Sequence, residues 1–524
     1  MKRMSLFALA GVLVLVAGPL FGAGTEETAA PEVMEVLTIT ALTNDINANE
    51  PKAVMDIRKD LLRDKFGLEY EWVYVPRNET DTKLPVMFAS GDFPEQLHMN
   101  WNWNVSAQRV MMLNHIPGGF FVAVDDYLDR LPNYQAQWTD DEWAFMRSLM
   151  SAGDGKMYVL PTKYPWPLDR GYMYNKTEFD KLGLQFPSTT DELLEVLRAF
   201  KVEYPDSVPW THKWGWPGSA TMGLRESFRT YDWGGPIYDQ DAGAVVYGPA
   251  TDKYRDLLKY LATLYQEGLM EKEAGTITLE QWEARVANNQ SFIAGGWFSW
   301  AGFFNQIQRS QYPDADWVVP KTEVRAYADK EMLAYKNPAG QPFGATFTAK
   351  MDISSEKFAR WIEFSEWLLT YDGTLAITAG IEGETFNFMD GKPVYIDDIK
   401  ASGHPDAQHS TRDYGLGGYA GFFPEFLEMN VRNRPMLTAK DDFDHLPAVG
   451  FVYGGFTPEE IDAKVDLETL MQDTFKEHTL KFVIGQKDIN SDAEWEAYVA
   501  ALQKAGLEEY ERVYQLAWNR APFF

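Results

Sequence analysis

Val36-Leu37-Thr38-Ile39-Thr40, then Pro51 to Lys65, then Tyr70-Glu71-Trp72-Val73-Tyr74-Val75: these three stretches, read in order, decide the fold. The first alternates and predicts a strand, the second predicts a helix, and the third predicts another strand. Strand, helix, strand is the repeating unit of an α/β protein. Further along, helix starts announce themselves by side chains able to satisfy the free amides of a first turn: Thr139 with Glu142, Thr189 with Glu192, Thr457-Pro458 with Glu460, and Ser491 with Glu494. Apolar residues then recur at helical spacing. Tyr254, Leu257, Leu258, Leu261, Leu264 and Tyr265 run to Gly268; Phe358, Trp361, Ile362, Leu368 and Leu369 form a second stripe; Trp495, Tyr498, Val499 and Leu502 run to Gly506, after which Leu507 to Trp518 resumes. Each stripe predicts a helix face turned to a core. The sequence holds no internal repeat, coiled coil or low-complexity tract.

At the N-terminus, Lys2 and Arg3 precede an apolar run from Leu6 to Phe21 and then Gly22-Ala23-Gly24. This is the pattern of a secretory signal peptide, so residues 1–24 are read as one and 25–35, small and acidic, as a flexible leader. The run, about 16 residues, falls short of the roughly 20 that a membrane-spanning helix needs, and polar Thr25-Glu26-Glu27 follows it. The remaining chain is too long for one hydrophobic core and predicts at least two domains. There is no cysteine, hence no disulfide and no thiolate zinc site. With 77 acidic against 48 basic residues the charge is -29, and loss of the two cations Lys2 and Arg3 makes it -31. Such a surface repels phosphate backbones and anionic lipids, which argues against nucleic acid and membrane-surface partners.

Catalytic signatures are weak. No HExxH, GxSxG, P-loop or strand-borne GxGxxG occurs, and His404 and His409 lie five apart in a Gly/Pro/Asp-rich segment that reads as loop. The paired carboxylates Asp125-Asp126, Asp140-Asp141 and Asp397-Asp398 are sequence neighbours, which suits helix starts better than two sides of a substrate. Aromatic clustering is what stands out. Tryptophans sit beside Gly, Pro and Asn in Trp101-Asn102-Trp103-Asn104, Pro165-Trp166-Pro167, Trp210, Trp214-Gly215-Trp216-Pro217, Trp233 and Gly296-Trp297-Phe298-Ser299-Trp300. An indole offers a flat apolar face and one N–H donor, matched to the C–H face of a pyranose, while neighbouring Asn, Asp, Glu and Arg address hydroxyls. The competing reading of any one tryptophan is a plug in the core.

Family resemblance then becomes specific. Phe88-Ala89-Ser90-Gly91-Asp92-Phe93-Pro94-Glu95, Leu128 to Tyr134 with its Pro132-Asn133-Tyr134, Asp154-Gly155-Lys156-Met157-Tyr158-Val159-Leu160-Pro161, and Tyr174-Asn175-Lys176 through Lys181-Leu182-Gly183-Leu184 to Phe186-Pro187-Ser188-Thr189-Thr190-Asp191-Glu192 resemble, in order, motifs of bacterial extracellular solute-binding proteins. Lys481-Phe482-Val483-Ile484-Gly485 and Trp495 to Leu507 resemble the ending of the long LplA-like, oligosaccharide-binding subgroup that serves sugar ABC importers. The resemblance implies a two-lobed α/β fold of the periplasmic-binding-protein type (type II), with ligand in the cleft and a hinge between lobes. Lobe 1 is expected at 36–165 and 320–375, and lobe 2 at 166–319 and 376–524. Crossings are expected around Pro161 to Arg170 and between Pro320 and Phe343. Carried onto this chain, the family's ligand-facing segments fall on Trp101, Asn102, Trp103, Trp166, Asp169, Arg170, Trp214, Trp216, Trp297, Trp300, Glu382 and Tyr419. The tryptophans are expected to stack on sugar rings, Asp169 and Glu382 to accept from hydroxyls, and Arg170 to donate.

Two departures matter. Some relatives carry a calcium loop after the helix corresponding to Asp191 to Phe200, but here Val202-Glu203-Tyr204-Pro205-Asp206-Ser207-Val208-Pro209 alternates too few oxygen ligands, so no metal or other cofactor is expected. The lipidated cysteine common in this family is missing from Leu20 to Gly24, which implies an unanchored periplasmic protein. The expected function is non-catalytic capture of a carbohydrate by a monomer that hands it to the transmembrane permease subunits of an ABC importer. The alternatives are a secreted glycoside hydrolase, or a sensing receptor with the same binding chemistry.

Overall fold

β1 (Leu37–Thr43) and β2 (Leu68–Tyr74) lie parallel in unbroken register from Leu37 against Leu68 to Thr43 against Tyr74, connected through the helix Ile57–Phe66. In this computed structural model the described residues are 34–43, 57–76, 79–100, 107–164, 168–213, 216–233, 235–336, 340–396, 416, 421, 423–429 and 434–521; Pro51 to Asp56, read as part of the first helix, lie outside them. β3 (Gln96–Asn100) joins β1 in parallel, and β11 (Gly340–Phe347) enters antiparallel between β3 and β4 (Leu160–Lys163), giving the order β2-β1-β3-β11-β4. A second sheet takes β10 (Trp317–Val318), β5 (Arg170–Asn175), β9 (Ile293–Trp297) and β6 (Trp210–Thr211) in that order, with β5 and β9 antiparallel at its centre. Both central strands are buried nearly throughout, as strands covered on two faces must be. A small antiparallel sheet β14 (Gly450–Phe451), β7 (Ile237–Asp239), β8 (Ala244–Val246) and a hairpin β12 (Phe386–Met389) with β13 (Lys392–Tyr395) complete the strands.

Helix starts form by the predicted chemistry. Thr139–Glu142 and Thr457–Glu460 are reciprocal capping boxes. Thr189 and Ser491 accept from the third amide, but the glutamates reach elsewhere, Glu192 to Ser188 and Glu494 to the Asp488 amide. In the helix Asp252–Gln266, Tyr254, Leu257, Leu258, Leu261 and Leu264 are all buried, each leucine contributing about 2 kcal/mol through area removed from water. Gly268 ends that run in the left-handed region.

Each large sheet has its own hydrophobic core. Ile39, Leu97, Met112, Phe347 and the Phe358–Trp361–Ile362 face of the helix Glu356–Leu368 build the first. Leu197, Phe200, Leu258, Ile293 and Phe304 belong to the second, as do Trp495, Tyr498 and Leu502. Tyr231, Ile237, Val449, Phe451 and Tyr453 pack into the first core although they fall in stretches read as the second lobe. The reason is that the β14-β7-β8 sheet lies where the chain crosses between cores. Among the described residues no helix is long and apolar enough to cross a membrane.

Candidate ligand site at the crossing segments

The chain leaves the first sheet after Lys163, enters the second at Arg170, and returns between Val318 and Gly340. These passages run side by side with a third. Leu168 bridges Lys336 antiparallel and Ala334 bridges Ala448 in parallel, with Ala334 N donating to Pro447 O (2.8 Å) and Val449 N to Ala334 O (3.0 Å).

Asp169 and Arg170 sit at this junction, both buried. Arg170 Nε donates to Asp169 Oδ1 (2.9 Å), and Tyr164 OH donates to Asp169 Oδ2 (3.0 Å). The Arg170 guanidinium rests 3.5 Å from the ring centre of Tyr335, on the returning segment. Burial works against its charge, yet Asp169 beside it holds its pKa above the usual arginine range. Burial and Asp169 likewise push the Tyr164 phenol up. Among the described residues Arg170 Nη1 meets no acceptor; a buried donor of that kind costs roughly 1–3 kcal/mol until something accepts from it.

Tryptophans cover this pair. Arg170 lies opposite Trp297 in the β5–β9 ladder, 4.8 Å from its ring, and 5.2 Å from Trp233. Trp233 meets Trp297 edge to face at 6.0 Å and is 43% exposed, so part of the wall faces solvent. Trp300, in the first turn of the helix Ser299–Arg309, stands 5.2 Å from Trp297 and folds back over Gly296. A Cβ at Gly296 would lie 2.1 Å from the Trp300 ring, so glycine is what lets the indole lie there. Lys213 Nζ sits 4.0 Å from the Trp300 ring and 4.5 Å from Trp282. Beneath Trp233 a second buried guanidinium, Arg225, pairs with Asp232 (2.8 Å) and Glu226 (3.2 Å) and faces the Tyr231 ring at 4.1 Å.

The predicted residues therefore separate. Asp169, Arg170, Trp297 and Trp300 come together. Trp216 does not: it is buried in the second core, where its Nε1 donates to Thr479 Oγ1 (2.8 Å), because Trp216 and Pro217 turn inward against the helix Pro458–Val483. Glu382 stands exposed in the turn before the β12–β13 hairpin, bridging Phe386, and no described contact joins it to the tryptophans. Trp101, Asn102, Trp103, Trp166, Trp214 and Tyr419 lie outside the described residues. Sequence reading passed over Tyr335, Arg225, Asp232 and Lys213. Trp233 was noticed as an aromatic beside glycines, a signal that would have sufficed; Arg225 and Tyr335 meet only through the fold.

Chemically the arrangement offers flat apolar faces and hydrogen-bonding groups. Asp169 and Asp232 are both engaged by guanidinia, those of Arg170 and Arg225. The carboxyl pushed to about 7, Glu271, is fully buried, shifted by that burial although Arg285 lies 2.6 Å away. For a metal, Glu323, Glu331 and His445 are close enough to share an ion, but Glu323 already accepts from Arg325 and from the Met332 amide. In the segment without the calcium pattern, Lys201 Nζ donates to Ser207 O (2.7 Å).

Comparison with known proteins gives a family and a fold. The family of bacterial extracellular solute-binding proteins matches residues 53–350. The fructooligosaccharide ABC transporter substrate-binding protein FusA of Streptococcus pneumoniae is 22% identical over 93% of this chain and 90% of its own. Two solved structures share the fold over 93% of this chain. One is the HMO-binding, ABC-transporter-associated solute-binding protein of Bifidobacterium longum infantis (TM-score 0.70, 17% identity, 100% of that chain). The other is the alginate-binding protein AlgQ2 (TM-score 0.67, 20% identity, 98% of that chain). The two-lobed periplasmic-binding-protein-like α/β fold expected from the sequence is thus the fold observed.

Proposed function

The chain belongs to the bacterial extracellular solute-binding protein family, and from that premise we propose that it is the substrate-binding component of an ABC transporter, taking up a carbohydrate, an oligosaccharide by preference. The observation that carries this reading is the half-open wall of Trp233, Trp297 and Trp300 over the buried Arg170–Asp169 pair, at the place where the chain crosses between its two cores. Sugar rings stack on the indoles, and the unmet Arg170 Nη1 donates to a hydroxyl. FusA, matched along most of this chain, is a fructooligosaccharide-binding protein, which supports the same ligand class.

In this reading residues 36–165 with 320–375, and 166–319 with 376–524, act as lobes that close about the three crossing segments, and ligand contacts to both lobes favour the closed arrangement by their differential affinity. Trp101, Asn102, Trp103, Trp166, Trp214 and Tyr419, which lie outside the described residues, are proposed as further ligand contacts. The protein works as a monomer, without turnover. It is exported by cleavage near Gly24 and stays free in the periplasm, since a chain lacking cysteine cannot carry a thioether-linked lipid. It delivers its cargo to the transmembrane permease subunits.

Titrating intrinsic tryptophan fluorescence with a panel of oligosaccharides, alongside small-angle scattering, tests this. A saturable fluorescence change with a smaller radius of gyration is expected for at least one sugar. A flat response across the panel in both measurements removes the reading.

A further inference from the structure

We infer that the site selects uncharged saccharides and rejects uronic-acid or sulfated ones. This deepens the carbohydrate reading and rests on it. The proteins this chain resembles do not decide the matter, since FusA is named for a neutral fructan and AlgQ2 for a polyuronate. The charges around the tryptophans do.

An acidic sugar brings a carboxylate on every residue, and a carboxylate moved from water onto an apolar wall needs a cation that is not already matched. Arg170 is matched by Asp169 at 2.9 Å. Arg225 is matched twice, by Asp232 at 2.8 Å and Glu226 at 3.2 Å. Asp232 also accepts from Tyr254 OH (2.9 Å), and Glu226 from the Gly223 amide (2.7 Å), so both acids are fixed in place. Lys213, against Trp300 and Trp282, is the third cation here, so that among the described residues the wall sets three cations against three carboxylates, with no net positive charge for an anion.

Neither the segments that adjoin this wall in sequence nor those that the resemblance assigns to the site add a surplus of cations. Residues 101–106, 165–167, 214–215, 234 and 337–339 contain no charged side chain of either sign. The stretch 397–415 sets Lys400 and Arg412 against Asp397, Asp398, Asp406 and Asp413. Lys464, a further buried amine, lies over the Phe456 and Tyr514 rings, and burial lowers its pKa to about 7. Over the whole chain a charge of -29 opposes the approach of a polyanion, most strongly at low salt.

The test is calorimetric titration of the full mature chain with neutral tetrasaccharides (fructan, β-galactan, β-mannan) and uronate tetrasaccharides (galacturonan, mannuronan), each at about 20 and 300 mM NaCl. The best neutral sugar is expected to bind at least about tenfold tighter than either uronate, with little dependence on salt. Asp169→Asn, which unmatches Arg170, is expected to narrow that ratio at least about tenfold; if this variant does not fold, the wild-type panel decides alone. A uronate that binds within tenfold of the best neutral sugar, weakening as salt rises, overturns the inference while leaving the carbohydrate reading intact. Silence towards every sugar in both sets overturns the carbohydrate reading, and this inference with it.

Discussion

Trp210, Trp216 and Trp317 on one side, and Trp233, Trp297 and Trp300 on the other, are the same residue put to two uses. The first three are buried with their N–H groups spent inside the protein, on Ala220 O (3.3 Å), Thr479 Oγ1 (2.8 Å) and Gln308 Oε1 (2.7 Å). The second three are set against cations, Arg170 for Trp233 and Trp297 and Lys213 for Trp300, and each keeps part of its surface open. Neighbouring glycines and prolines do not separate the two groups, for Trp216 precedes Pro217 as conspicuously as Trp297 follows Gly296. What separates them is whether the indole is consumed by the core or seated on a charge.

Substitutions can break this contrast. Trp210→Ala removes a wholly buried indole from the second core and should lower unfolding free energy by about 3–5 kcal/mol, read from the guanidinium midpoint. Close behind it in sequence, His212 is buried, and that burial holds its pKa down to about 4, although Ala274 O accepts from the ring. Its folded value lies below the ordinary 6.5, so the unfolded chain takes the proton first. The stability it leaves intact above pH 6.5 is lost as pH falls through 6.5 towards 4, by about 3 kcal/mol. Denaturant melts across that window should show this limb, and His212→Phe should flatten it; an unchanged slope would mean the second core is open to water there. Trp216→Phe keeps one ring's packing but gives up the rest of the indole and the bond to Thr479, for about 1–2 kcal/mol, with ligand affinity unaltered. Trp233→Ala should cost under about 1 kcal/mol of stability yet weaken oligosaccharide binding at least tenfold. If Trp216→Phe lost the ligand and Trp233→Ala did not, the division would be the wrong way round.

Much of the fold could be read before the structure. Within residues 36–75 the strand–helix–strand order is legible because alternation acts locally, and the Tyr254 and Trp495 stripes are legible because a helix buries by period. The entry of β11 between β3 and β4 could not be read, being a pairing across distant sequence. The site was legible in part. Asp169, Arg170, Trp297 and Trp300 were named from the resemblance, and they cluster because β5 and β9 are register partners. Trp216 and Glu382 were named by the same means and stand elsewhere, since a motif fixes a turn but not the direction its side chain takes. Tyr335 reaches Arg170 through the return crossing, for which the sequence offers no local sign.

The position of β11 carries a consequence for the order in which the chain can become solid. Its neighbours β3 and β4 are both made early, but the strand that joins them is made only after β5, β6, β9 and β10 have all been laid down. A chain emerging N-terminus first can therefore finish its second sheet while its first is still in two pieces, so the part synthesised earliest is the last to lock. For a polypeptide made from its N-terminus onward, that delay keeps the leading half pliable until most of the length has followed.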